Sequence, residues 1–433
     1  MVLFWFRRDL RLQDNTALYH ALSENNEVQP IFIFDNEILG KLEEKRDSRV
    51  TFIHKRLELL NLELKKHEAS LWTFHGKPIE IFKQLIKKIP VKAIYLNKDY
   101  EPYAIERDKE IIDLAFHHKI SLKNYKDHVI FEENDILKKD GRPYTIYTPY
   151  MRMWKKSVSE TDLPHYFSEN LLKNLNNFPF SKIINLDKLG FLPGFHQIPG
   201  EIPGYETIKE YDKYRDFPAI EGTTRIGPHL RFGTISIRQM ARLGMEYNSG
   251  WINELIWREF FQSIIYHFPY SAQESFKKKY DSIQWINDEK QFESWCKGKT
   301  GYPFVDAGMK QLNNTGFMHN RVRMIVASFL TKHLLIDWRW GEAYFAKKLL
   351  DYELASNVGN WQWAASCGCD AVPYFRIFNP NLQMKKYDPE LKYIKKWVPA
   401  VLTPEYEKPI IDHEFARKRA ILSYKKAQQD YKS

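Results

Sequence analysis

Residues 301–376 read GYPFVDAGMKQLNNTGFMHNRVRMIVASFLTKHLLIDWRWGEAYFAKKLLDYELASNVGNWQWAASCGCDAVPYFR, and the fold of the larger part of the chain is decided there. Helical patterns follow one another without a strand-like run, and they continue in both directions from Tyr205 to about Ala427. That argues an all-helical domain. Within the stretch, a helix start carries Asn320, Arg321 and Arg323, acid-bearing turns carry Asp351 and Glu353, and an Asn-x-Gly-x-Trp-x-Trp run carries Asn357, Trp361 and Trp363. So many tryptophans, amides and arginines beside one another point to a planar ligand.

Upstream, residues 1 to about 130 follow a different rhythm. VLFWF (2–6), PIFIF (30–34), SLWTF (70–74) and AIYLN (93–97) are short apolar runs, and a fifth is expected near Lys123 to Ile130. Helical patterns separate them: TALYHALSE behind an Asp14-Asn15 cap, a long amphipathic segment from Val50 to His67, PIEIFKQLIKKI and ERDKEIIDLAFHH. This alternation predicts a five-stranded parallel sheet of Rossmann-like type, with helices on both faces. No GxGxxG follows the first strand, so a dinucleotide in the usual Rossmann position is unsupported. Residues 131–204, rich in Pro, Asn, Lys and Gly, read as a long connector without sustained period. The reading is therefore α/β plus all-α: 1–130, a connector over 131–204, and a helical domain over 205–427.

At 433 residues, two domains are the default, and nothing approaches the ~20 consecutive apolar residues of a membrane span. The opening MVLFWFRRDLRL carries its arginines after a short apolar run, the wrong order for a signal peptide, and reads as a buried strand. Three cysteines, Cys296, Cys367 and Cys369, cannot build a disulfide framework, and Cys367-Gly-Cys369 lacks zinc-site spacing. No metal is expected, and the compartment is read as reducing and cytoplasmic. A net charge of +10 with 15% aromatic residues suits a polyanion whose bases can stack, although scattered lysines also serve as solvated surface.

Three further segments carry chemistry. TTRIGPHLRFGTIS (223–236) offers hydroxyls, an arginine and a helix start to an anion, and reads equally as a plain capped helix. In WINELIWREFF (251–261), Trp251, Glu254, Leu255 and Arg258 share a helical face, with Trp257 and Phe261 on its flank. A carboxylate there is either paired with Arg258 at i, i+4 or serves a ligand. In TGFMHNRVRM, Asn320, Arg323 and Met324 fall on one side; Arg323 can neutralise phosphate or pair with Asp351, and His319 alone reads as structural. Each of the 12 tryptophans, read singly, is packing.

Taken together, FWFRRDLRLQDN, RDFPAIEGTTR, NELIWREFF, WCKGKTGYPFVDAGMKQLNNTGFMHNRVRM and NVGNWQWAASCGCDAVPYFRIFNP resemble the photolyase/cryptochrome family, most of all its class I cyclobutane pyrimidine dimer photolyases. The resemblance covers nearly the whole chain and is strongest from Tyr211 to Pro380. It implies a non-covalent FAD in the helical domain. Its phosphates and ribityl chain would meet Thr223, Thr224, Arg225, Ile226 and Gly227, with Tyr211, Trp251, Glu254 and Arg258 nearby. Arg323 and Asp351 would pair beside the flavin ring, flanked by Tyr352 and Glu353, and Asn357 would face its N5. Trp285, Trp338 and Trp361 match a three-tryptophan chain that reduces the flavin in light. The implied activity is light-driven splitting of cyclobutane pyrimidine dimers in DNA by an electron from excited reduced FAD, the lesion being flipped into a pocket. Arg215, Glu254, Trp257, Arg258, Asn320, Arg321, Met324 and Trp363 would bind the dimer and its DNA, and the protein would act as a monomer without a membrane.

Asn357 favours a repair enzyme over a cryptochrome photoreceptor, and Asn320 favours cyclobutane dimers over (6-4) products, whose enzymes carry His there. Both alternatives stay open, as does a basic DNA-binding scaffold whose tryptophans only pack. Glu353 replaces a common Asp, Phe317 a common Trp, and YEPYAIERD (100–108) lacks the Asn-Glu pair of folate-binding relatives. An antenna pigment of folate or deazaflavin type is implied without its identity.

Overall fold

A computed structural model describes residues 1–431; Lys432 and Ser433, the end of the basic helix expected at the C-terminus, lie outside the described residues. The chain forms two compact units. One comprises Met1–Ile136, Lys155–Ile202 and Arg225–Glu246, the other Leu137–Trp154, Pro203–Thr224 and the chain from Tyr247 onward.

The first unit is built on a parallel sheet of β1 (Val2–Phe6), β2 (Val28–Asp35), β3 (Trp72–Gly76), β4 (Ala93–Asn97) and β5 (Ser121–Tyr125), in the order β3-β2-β1-β4-β5. Alternate residues of β1 serve opposite cores, as a period of two requires. Val2, Phe4 and Phe6 pack with Phe32, Phe34 and Leu57, while Leu3 and Trp5 pack with Ile31, Ile94 and Phe82. Helices α1 (Thr16–Glu24), α2 (Ser48–Lys65), α3 (Pro78–Lys88) and α4 (Pro102–His117) connect the strands. Asn15 caps α1 as expected, its side chain accepting from Leu18 N.

Two expectations are corrected. The fifth strand ends at Tyr125 rather than Ile130, because Asp127 is drawn into a buried charge network instead of a ladder. Residues 131–204 are not structureless: α5 (Tyr147–Ser157) lies in them, and Leu172, Leu175, Ile183, Leu189 and Phe191 join the α/β core.

In that network Asp127 accepts from Arg11 Nη2 at 2.7 Å, Arg238 Nη2 at 3.0 Å and the Thr16 backbone and hydroxyl, while Arg238 also bonds Asp14 at 2.9 Å. Burial opposes the charge on Asp127, but Arg11 and Arg238 outweigh it and hold the carboxyl well below its ordinary range.

The regular elements of the second unit, among its described residues, are helices. The helices that matter below are α6 (Ser249–His267), α7 (Pro303–Thr315), α8 (Asn320–Ser328), α9 (Trp338–Lys348), α10 (Leu354–Ala364) and α11 (His413–Asp430). Their core gathers Trp295, Phe304, Leu312, Val326, Trp338 and Trp361 among others, all buried. Gly359 sets the approach of α10 to α6, since a Cβ there would lie 2.2 Å from the Phe261 ring.

Candidate active site

α6 presents Trp251, Glu254, Trp257 and Arg258 within two turns. Asn248 caps the helix, its side chain accepting from Gly250 N and Trp251 N, which fixes the first turn and buries Trp251. The i, i+4 pair read from sequence is not the one formed. Glu254 bonds Arg215 at 2.7 Å, and Arg258 bonds Glu353 at 2.7 Å. The reason lies with Glu353, which is 4% exposed and could not stay charged at that depth without a cation. Glu254 keeps a more open position, yet burial still pushes its carboxyl above the ordinary range, with Arg215 pulling it back down. Arg215 also lies over the Tyr211 ring, 4.7 Å from its centroid.

α8 begins behind His319, whose ring nitrogen accepts from Arg321 N, so the histidine has the structural role expected of it. Asn320 at the first position is exposed. Arg321 pairs with Asp216 at 2.7 Å, sits 4.5 Å over the Tyr387 ring, and donates weakly to Met324 Sδ at 3.7 Å. Arg323 bonds Asp351 Oδ2 at 2.9 Å, so the pair expected from the turn is formed. The other oxygen, Asp351 Oδ1, is buried and takes no hydrogen bond from the described residues.

On α10, Asn357 and Trp361 share a face at i, i+4, and both are buried. Asn357 Nδ2 donates to Glu342 Oε1 at 2.9 Å and to the Glu342 carbonyl at 3.1 Å. This commits both amide protons and leaves the oxygen to accept. Burial raises the Glu342 carboxyl, which Asn357 partly offsets. Trp361 lies against α9 because Gly341 has no side chain; a Cβ there would stand 2.2 Å from the indole. Trp338, one turn earlier on α9, is buried, and its Nε1 has no partner among the described residues. Trp285 is half-buried, and its segment is tied to the start of α9 by Ile286 N to Leu335 O and Asp337 N to Asn287 Oδ1, both at 2.8 Å.

Other expected residues are dispersed. Thr223 and Thr224 are half-buried in the helical unit, whereas Arg225, Ile226 and Gly227 belong to the α/β unit, Arg225 with a positive φ of 52°. Tyr352 and Trp363 are half-buried at the two ends of α10. Sequence reasoning missed Glu342, Asp216 and Tyr147. The acid in WRWGEAYF, set in a largely apolar helix, was a signal for the first. The α/β unit has its own cavity of about 170 Å³ at the carboxyl ends of β1, β2 and β4, where Trp5, Phe32, Phe34, Asp35, Tyr103 and Arg107 line it. The described residues contain no cluster able to hold a metal and no helix long and apolar enough to cross a membrane.

Comparison with known proteins gives this geometry a context. A family model for DNA photolyase matches residues 2–168, and one for the FAD binding domain of DNA photolyase matches residues 251–404. The deoxyribodipyrimidine photo-lyase of Vibrio cholerae is 36% identical, over 99% of this chain and 100% of that protein. The crystal structure of a class III photolyase from Agrobacterium tumefaciens superposes with a TM-score of 0.88 at 32% identity, covering 99% of this chain and 98% of that one. An archaeal photolyase from Sulfolobus tokodaii, solved with two FAD molecules, gives 0.85 at 35% identity over 98% and 99%. With family models matching residues 2–168 and 251–404 and relatives matched over almost their full length, the chain belongs to the DNA photolyase family.

Proposed function

We propose that this chain is a light-driven lyase that splits cyclobutane pyrimidine dimers in DNA with a non-covalent FAD held by its helical unit. The residues fit that group: Asp351 Oδ1 is a buried acceptor without a donor, and Asn357 has only its oxygen left to accept, so both suit a ring edge bearing N–H groups. When bound, FAD supplies the light-absorbing electron donor.

The rest of the work falls to the protein. Arg323 would hold Asp351 in place beside the ring, and Glu342 would keep Asn357 in one orientation. Tyr211, Trp251, Arg258, Tyr352 and Glu353 would wall the site, and Thr223 and Thr224 would donate to phosphate. Trp361, Trp338 and Trp285 pass from buried to half-buried and would conduct an electron inward from the surface.

A damaged base pair stacks poorly and costs less to extrude than an intact one. Trp257, Trp363 and Met324 would pack on the extruded dimer and exclude water, while Asn320 bonds its polar edge. Arg321 would exchange Asp216 for a backbone phosphate. Glu254 carries the reading. Its carboxyl, bonded to Arg215 at 2.7 Å on the turn of α6 before Trp257, is raised by burial and lowered by Arg215, and would in its protonated form donate to a dimer carbonyl as negative charge develops there. The α/β cavity would take an antenna pigment of folate or deazaflavin type. The protein would work as a monomer, in the cytoplasm, on DNA.

The test is direct. Flavin-reduced protein is mixed with an oligonucleotide carrying one cyclobutane dimer and illuminated with blue light. Restoration of the two pyrimidines is the expected result. An unchanged oligonucleotide, or repair confined to a (6-4) product, would overturn the reading.

A further inference from the structure

α5, placed within the irregular connector by sequence, offers three aromatic residues to α6 at i, i+3 and i+7. Tyr147 O–H donates to the Asn253 carbonyl at 2.9 Å, Trp154 Nε1 to Glu259 Oε1 at 2.6 Å, and Tyr150 O–H to the same oxygen at 3.3 Å. Tyr150 and Trp154 are buried and anchor the helix. Tyr147 does something further. Its ring lies face to face with the Trp257 indole, centroids 3.5 Å apart and planes 9° from parallel. Phe260 meets the same indole edge-on at 5.7 Å, and Phe261 meets it tilted at 5.4 Å. One indole face is thus covered and its rotation blocked. The backbone N–H of Tyr147 donates to Asp370 Oδ2 at 2.9 Å, on the loop that follows α10. That loop is fastened to Trp363 by Val372 N to the Trp363 carbonyl at 3.3 Å. Tyr147 therefore touches Trp257 with its ring and, through its backbone, the loop beside Trp363.

We propose that Tyr147 is a positioning residue that sets the plane of Trp257, and its distance from Trp363, before a flipped pyrimidine pair arrives. This rests on the reading of Trp257 as a dimer-stacking face. An aromatic ring held in place before binding avoids the ordering cost otherwise incurred on association. The phenol face, rather than its hydroxyl, supplies the constraint, because face-to-face contact fixes a plane where a single hydrogen bond to Asn253 does not.

The experiment measures binding of flavin-loaded full-length variants to matched oligonucleotides with and without a cyclobutane dimer. Tyr147→Leu should weaken dimer binding about 3- to 10-fold, the range set by ordering one side chain. Binding to the undamaged strand should not change. Tyr147→Phe should restore wild-type selectivity. In a Trp257→Ala background, Tyr147→Leu should have no further effect. Tyr147→Met replaces the leucine variant if that one does not purify folded. Equal loss on both oligonucleotides, or additive losses in the double variant, would overturn the proposal by making Tyr147 a packing residue only. Full dimer affinity in Tyr147→Leu, with Trp257→Ala impaired, would overturn this inference and leave the dimer-stacking reading standing. Full affinity in Trp257→Ala would overturn both.

Discussion

Two regions of this molecule hold opposite charges together, and they do so differently. In the α/β unit, Arg11, Asp14, Asp127 and Arg238 are each no more than 4% exposed, and every carboxylate meets more than one donor. In the helical unit one pair, Arg258 with Glu353, is nearly as buried, but three others are single and more open: side-chain exposures are 26% and 35% for Arg215 and Glu254, 18% and 38% for Arg321 and Asp216, and 27% and 19% for Arg323 and Asp351. Closed networks fasten the chain. Open pairs leave an oxygen or a guanidinium that a ligand can take, at small cost in stability.

The contrast breaks most readily at Asp127. Asp127→Ala leaves Arg11 and Arg238 buried without their shared carboxylate, and should cost about 3–5 kcal/mol of folding stability. Urea denaturation of the α/β unit within the full chain measures it. Asp351→Asn, on the open side, should leave the denaturation midpoint of the flavin-free protein nearly unchanged. Similar losses from the two substitutions would erase the distinction.

The same contrast explains what could be read in the sequence. Strands β1, β2 and β4 stand out because continuous apolar runs between helical patterns have one explanation, a doubly covered parallel sheet. β5 is polar, and the buried stretch beyond it includes Val129, Ile130 and Phe131 outside the ladder, so hydrophobicity misplaces its end. α5 was hidden by Pro149, a residue that a first helical turn tolerates but that reads as a breaker in a Pro-rich segment. In the site, Arg323 with Asp351 was legible, because a known motif carries both. Arg215 with Glu254 was not, because spacing along one helix offers Arg258 first and only the depth of Glu353 removes it. Local periodicity states which pairs are possible. Burial elsewhere decides which forms.

Next in size is Glu254. If its carboxyl meets charge on the dimer, Glu254→Ala should lower repair per absorbed photon by about 10²-fold, the scale of losing one preorganised partner. Stability should change by less than about 1 kcal/mol, as for other open pairs. Equal repair with and without the side chain would place it outside the reaction.

Smaller, and more diagnostic of sign, is the response to pH. Burial raises the Glu254 carboxyl and Arg215 lowers it, so Arg215→Ala should raise it further. A carboxyl raised on folding favours the folded state below the unfolded value of about 4.3, and that contribution is lost as pH rises through the folded value. In Arg215→Ala the loss should move to higher pH. The alkaline limb of repair should move the same way if the protonated carboxyl is the donor, while Glu254→Gln should flatten that limb. Activity lost on the acid side instead, with that acid limb moving to higher pH in Arg215→Ala, would assign the work to the carboxylate.

The smallest expected effect concerns Arg321. In the free protein its guanidinium is engaged by Asp216 at 2.7 Å, a carboxylate a DNA phosphate would have to displace. A pair this open is worth about 0.2–1 kcal/mol, so removing the competitor can raise affinity by no more than roughly 1.4- to 5-fold. Asp216→Asn should therefore tighten DNA binding within that range, on damaged and undamaged strands alike, because a phosphate contact carries no sequence information. The slope of affinity against salt should steepen by at most about 0.9, one more counterion released per phosphate neutralised. Arg321→Ala should move both quantities the other way. If Asp216→Asn leaves affinity and slope untouched, Arg321 does not reach phosphate, its stacking on Tyr387 becomes its purpose, and one of the open pairs in the helical unit belongs with the closed network of the other.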